Sequence, residues 1–185
     1  LLVDINPPSI TLLSPPNNGY SNSDTAQFVY RPLDYGNITA CSLFLDGSLN
    51  QTNATILNNQ TNQFFVNNLS LGPHNWSVNC TDITAKMGTS ATWNFTYDNT
   101  EPTVIFIYPT NGLIILNNSL NVTWRAYDSF DPQLSCRLVM DSFAYDWQTK
   151  QNNSIWNQTF TNIIDGNHTA NVECTDTASN TNTST

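Results

Sequence analysis

The chain repeats itself. Shifted by 94 positions, Asp4 falls on Asp98, Pro8 on Pro102, Ile10 on Val104 and Leu12 on Phe106. Phe28, Tyr30, Arg31 and Asp34 fall on Val122, Trp124, Arg125 and Asp128. With one residue inserted, CSLFLDG at 41–47 meets CRLVMDS at 136–142. The register then returns, and Gly72, His74, Val78, Cys80, Thr81 and Asp82 meet Gly166, His168, Val172, Cys174, Thr175 and Asp176. A tandem duplication gives each copy about half of the 185 residues, enough for one small domain apiece.

Within each copy the apolar period is two. Trp76, Val78 and Cys80 alternate with Ser77 and Asn79, while Cys136, Leu138 and Met140 alternate with Arg137 and Val139. That pattern belongs to half-buried strands. Turns rich in Asn, Gly and Pro separate short runs, and no helical stripe is present. The expectation is an all-β chain of two tandem immunoglobulin-like β-sandwiches, the second lacking its own last strand. Residues 1–7 read as an N-terminal donor strand and linker, 8–98 as domain 1 and 99–185 as domain 2.

Only 10% of residues are charged, the net charge is −9, and five Lys and Arg are scattered along the chain. Phosphate backbones need clustered cations, so no nucleic-acid partner is expected. No apolar run approaches the ~18–20 residues that span a bilayer, so no membrane insertion of the mature chain is expected either. Recurring Trp, Tyr, Phe, Leu and Val supply a core that a disordered chain lacks.

The four cysteines allow three pairings. The repeat favours the two within-repeat bonds, Cys41 with Cys80 and Cys136 with Cys174, and bonded cysteines imply an oxidising compartment. No CxxC or Cys/His quartet suggests zinc.

Of 28 asparagines, 14 open an Asn-x-Ser/Thr sequon, about twice the share that the Ser and Thr content alone would give. These are Asn37, Asn50, Asn53, Asn59, Asn68, Asn75, Asn79, Asn94, Asn117, Asn121, Asn152, Asn157, Asn167 and Asn182. Covalent N-linked glycans are expected there, supplying the hydration that charged side chains do not; no other cofactor is expected.

The ends carry a further pattern. FTYD at 95–98 aligns with LLVD at 1–4, so Leu1, Leu2, Val3 and Asp4 have the phase of a last strand placed before the first domain. Repeat one runs on past Ala91 into a strand at 92–97, whereas Thr185 maps onto Ala91. If the first strand of one copy fills the second repeat of another, the joined text reads as an unbroken array, and the contact is head-to-tail.

The string DNTEPTV…PTNG resembles the junctions of immunoglobulin-like repeats in bacterial and archaeal surface proteins, and CSLFLDG…HNWSVNCTD resembles their cysteine-bearing members. The whole arrangement is similar to archaeal thread filaments, glycosylated immunoglobulin-like subunits joined by an N-terminal donor strand. That resemblance implies an extracellular, cell-surface filament subunit, a homopolymer and not an enzyme. Two other readings are a two-repeat segment of a large cell-surface adhesin or S-layer protein, and a sugar-binding module using Tyr145, Trp147 and Trp156.

Catalytic chemistry is not expected. His74 and His168 occupy equivalent turns and read as turn-shaping residues, as do Asp46, Asp141, Asp82 and Asp176. No metal is expected; calcium at Asp82, Asp98 and Glu101 is the lesser reading, on the strength of their oxygen ligands.

Overall fold

The computed structural model describes residues 3–184, and every regular element among them is a strand. The chain divides into two compact units, Leu1–Asp98 and Asn99–Thr185.

Unit 1 contains β1 (Ser9–Ser14), β2 (Gly19–Ser21), β3 (Ala26–Leu33), β4 (Ile38–Leu45), β5 (Ser48–Asn53), β6 (Asn62–Val66), β7 (Gly72–Asp82), β8 (Met87–Thr89) and β9 (Trp93–Tyr97). A three-stranded sheet of order β1-β3-β6 belongs to it, as does a six-stranded sheet of order β2-β9-β7-β4-β5 with β8 paired to β7. Strand β7 shows why alternation dictates this layout. Gly72, His74, Trp76, Val78, Cys80 and Asp82 are buried while the residues between them are exposed or half-buried. Trp76 and Phe95 of one sheet meet Phe28 of the other edge-on, at 5.1 and 5.5 Å between ring centroids.

Unit 2 contains β10 (Thr103–Tyr108), β11 (Ser119–Tyr127), β12 (Gln133–Met140), β13 (Phe143–Ala144), β14 (Gln148–Gln151), β15 (Ile155–Thr161), β16 (Ala170–Thr175) and β17 (Thr181–Thr183). Its sheets run β10-β11-β15 and β13-β12-β16-β17, with β14 also on β12. The duplication persists in small detail: the β1/β3 ladder slips between Leu12 and Ser14, and the β10/β11 ladder slips at the matching place, between Phe106 and Tyr108. Trp124 and Trp156 stack at 5.9 Å in this core.

Both disulfides form as the repeat favoured, Cys41–Cys80 and Cys136–Cys174. Each joins directly opposed residues of neighbouring antiparallel strands, β4 with β7 and β12 with β16, so each bond lies within one sheet.

Candidate functional site

In unit 1, β9 is held from both sides. It runs antiparallel to residues 72–76 of β7, with His74 opposite Phe95, and parallel to β2, with Gly19 opposite Phe95. Phe95 also stacks on the His74 ring at 5.3 Å. Leu45, Val66 and Leu69 belong to the core cluster that Phe95 and Tyr97 complete.

Among the described residues of unit 2, nothing takes the place of β9. The edge it would cover is open: β16 begins at Ala170, four positions short of the Gly166 that matches Gly72. The counterpart of β2, residues 113–115, forms no strand, because β2 pairs only with β9. Ile114 and Leu116 are left 82% and 98% exposed. Beside the β16 rim lies an open groove of about 300 Å³, lined by Met140, Phe143, Tyr145, Phe160, Ile163 and Ile164 together with the polar Asp141, Thr161, Asn162 and His168. Met140, Phe160, Ile163 and His168 are the counterparts of Leu45, Val66, Leu69 and His74, of which His74 stacks on Phe95 and the other three belong to the same core cluster in unit 1.

Of the expected donor residues, Leu1 and Leu2 lie outside the described residues. Val3 is exposed, and no strand runs through Val3 or Asp4.

The two histidines are structural clasps. His74 bridges the Asp46 carboxylate (Nδ1 to Oδ2, 2.7 Å) and the Ser70 carbonyl (Nε2, 2.7 Å), while the Asn75 amide donates to Asp46 Oδ1. His168 repeats this with Asp141 (2.6 Å) and the Ile164 carbonyl (2.8 Å), and the Thr169 amide donates to Asp141 Oδ1. Asp46 and Asp141 both adopt φ 51°, the left-handed region that Asp tolerates better than most residues. Hydrogen bonding to Asp141 and then to the Ile164 carbonyl raises the His168 pKa. The same bond with His168, followed by the Thr169 amide, lowers that of Asp141.

Around Asp82 the structure assembles carboxylates differently from the expected calcium set. One carboxylate oxygen from each of Asp4, Asp34 and Asp82 lies within 4.8 Å of the others, so the neighbours of Asp82 are Asp4 and Asp34 rather than Asp98 and Glu101. Asp34 is placed by an asparagine clasp: the Asp34 amide donates to Asn58 Oδ1 and the Asn58 amide nitrogen to the Asp34 carbonyl. Burial and the charge of Asp4 push the Asp34 pKa up, and Asp82 adds to this against hydrogen bonds from Gly36 and Tyr35. Burial alone would push Asp82 up as well. Hydrogen bonds from the Lys86 and Thr84 amides and the Thr84 hydroxyl, with the Lys86 charge, outweigh it and hold the group low. Sequence spacing had no motif for Asp34; its one signal was the retention of Asp at the matching position 128.

No sequon asparagine is buried. Ten of the fourteen are exposed, and Asn53, Asn79, Asn152 and Asn182 are half-buried. The amide nitrogens of three are already engaged, Asn121 on the Thr123 hydroxyl (3.4 Å), Asn152 on the Asp128 carbonyl (2.6 Å) and Asn182 on the Pro102 carbonyl (2.9 Å).

The aromatic platform of the sugar-binding reading does not exist. Trp156 is fully buried in the unit 2 core, Tyr145 packs edge-on to Phe160, and the Arg137 guanidinium lies 4.7 Å above the Trp147 ring. Alternation in β15 turns Trp156 inward, which the polar residues around it concealed.

No family model and no curated protein matches the chain. Solved structures do. The fibronectin(III)-like modules of Clostridium thermocellum CbhA overlay it with a TM-score of 0.57 at 14% identity, over 95% of this chain and 90% of theirs. The human OSCAR ligand-binding domain overlays more loosely, with a TM-score of 0.43 at 11% identity over 97% and 95%. The chain is a tandem of fibronectin III/immunoglobulin-like sandwiches.

Proposed function

We propose that the chain is a secreted structural subunit that polymerises head-to-tail into a cell-surface filament. In this reading Leu1, Leu2, Val3 and Asp4 of one copy occupy the open slot in unit 2 of the next. The observation that carries it is the slot itself: among the described residues of unit 2 nothing pairs where β9 pairs with β7 and β2 in unit 1, and a groove of mixed polar and apolar lining opens beside that edge. An open sheet edge of this kind is an association surface, and adding a strand satisfies its backbone groups.

The aligned text names the occupant. Leu1 stands where Phe95 stands and Val3 where Tyr97 stands, so both point inward when the strand is seated. Each apolar side chain fully buried this way contributes about 1.5–3 kcal/mol. The contact joins unlike surfaces, so it propagates unless its rotation closes a ring. N-linked glycans on the exposed sequons would clothe such a filament, and the two disulfides suit an oxidising, extracellular location.

The test is assembly of the purified chain, followed by electron microscopy and size-exclusion chromatography. The full chain is expected to form filaments, and a chain lacking residues 1–4 is expected to stay monomeric. A synthetic peptide LLVDIN should cap the slot and stop growth. Filaments from the truncated chain would rule the donor strand out. A full chain that stays monomeric would turn the reading to a two-repeat segment of a larger surface protein.

A further inference from the structure

Three carboxylates from distant parts of unit 1 converge. Asp4 precedes β1, Asp34 follows β3 and Asp82 ends β7. Like charges brought together this closely repel unless something neutralises them.

Asp82 is 1% exposed. Its Oδ1 accepts from the Thr84 amide (2.7 Å), the Thr84 hydroxyl (2.8 Å) and the Lys86 amide (2.9 Å). Its Oδ2 is buried with no hydrogen-bond partner, and so is Oδ2 of Asp4. Buried polar atoms in native proteins are nearly always paired, so two orphaned carboxylate oxygens in one cluster indicate a missing electrophile. Lys86 does not supply it, because its ammonium is directed to the Asp4 main-chain carbonyl (2.7 Å) and the Thr84 hydroxyl (2.8 Å).

Space is kept beside these oxygens. Gly36 is buried, and a Cβ there would sit 2.8 Å from Asp4 Oδ2 and 3.3 Å from Asp34 Oδ2. The missing side chain leaves the carboxylates facing bare backbone.

We propose that unit 1 holds a hard divalent cation, calcium by its ligand chemistry, between Asp4, Asp34 and Asp82. The ligand set is oxygen only, which suits Ca²⁺ and not the metals that select sulfur or imidazole. Oxygens bound to one Ca²⁺ at about 2.3–2.6 Å lie no more than about 5 Å apart, and one oxygen from each of the three carboxylates meets that limit, all lying within 4.8 Å of one another. Backbone carbonyls and water complete the usual six to eight ligands. Within unit 2, Asp128, the counterpart of Asp34, offers a carboxylate oxygen within 4.8 Å of one from Asp131, and both residues are buried. The cation would tie the segment before β1 to the loops after β3 and β7. This site is independent of the filament reading.

Isothermal titration of chelator-stripped full-length chain with CaCl₂, paired with thermal melts, tests it. Asp34→Asn retains an oxygen for the Gly36 amide while removing the charge. Gly36→Ala keeps all three carboxylates in the sequence but fills the space beside them and forces Asp4 Oδ2 aside. The expected result is that each variant binds one equivalent of Ca²⁺ fewer than the wild type. Saturating Ca²⁺ should raise the wild-type melting temperature by on the order of 5–10 °C, reversed by chelator. No uptake by the wild type at about 1 mM Ca²⁺, the weak end of protein calcium sites, overturns the proposal. So does an unchanged stoichiometry in both variants.

Discussion

His168 donates to the Asp141 carboxylate at 2.6 Å, and its other ring nitrogen meets the Ile164 carbonyl at 2.8 Å. Both partners are acceptors, so the ring satisfies them together only when doubly protonated. The folded-state pKa of His168 is raised above its ordinary 6.5, so this contribution to stability is complete below that value and is lost as pH rises through the folded pKa. Asp141 is lowered from 3.8, so its contribution is complete above that value and is lost as pH falls through the folded pKa. Chemical unfolding of the wild type should therefore show a urea midpoint that declines as pH rises above 6.5 and through the raised folded pKa of His168. His168→Gln should flatten that decline relative to the wild type; an identical slope in the variant would exclude the clasp as its source.

Glycan occupancy should follow the amide nitrogen and not the sequon alone. Asn152 holds the Asp128 amide and carbonyl together, and Asn182 reaches the Pro102 carbonyl, so a sugar on either nitrogen takes one of its two hydrogens and crowds a half-buried bond that the fold uses. Glycopeptide mapping of the natively secreted chain should find Asn152 and Asn182 bare and exposed sites such as Asn37, Asn94 and Asn167 modified. Asn152→Ala should destabilise unit 2 by about 1–3 kcal/mol through the unpaired Asp128 backbone. Full occupancy at Asn152 in a folded chain would contradict the clasp.

Each disulfide closes a long loop, with sequence separations of 39 and 38. On the chain-entropy account each stabilises its unit by about 4 kcal/mol. Reduction, or Cys41→Ser with Cys80→Ser, should lower the melting temperature of unit 1 by on the order of 15 °C or more. Calorimetry of the paired variants reads this directly, and a shift of only a degree or two would mean that the strand pairing alone sustains β4 and β7.

Much of this molecule was legible in its sequence because strands announce themselves by alternation. The buried faces of β7 and β12 and the cysteine pairing follow from period-two patterning and the 94-residue shift. What alternation does not carry is convergence in loops. Asp34 and Asp82 are 48 positions apart and meet only because β3 and β7 deliver their ends to the same place. Trp156 is similar: the polar Asn157, Gln158 and Thr159 that follow it disguised a side chain that the pleat turns fully inward. The short strand β2 was equally invisible, since it exists only as the parallel neighbour of β9.

The open slot beside β16 has two unlike rims. In unit 1 the corresponding rims demand that one strand run counter to β7 and along with β2. A segment entering from elsewhere can satisfy both only by lying in one sense, with its first residue at a fixed end. Copies strung together through such slots would form a vectorial object whose two termini differ chemically, one offering an unfilled socket and the other a spare strand. A cell could hold such a string by one terminus and extend or probe with the other, with no additional component to mark which is which.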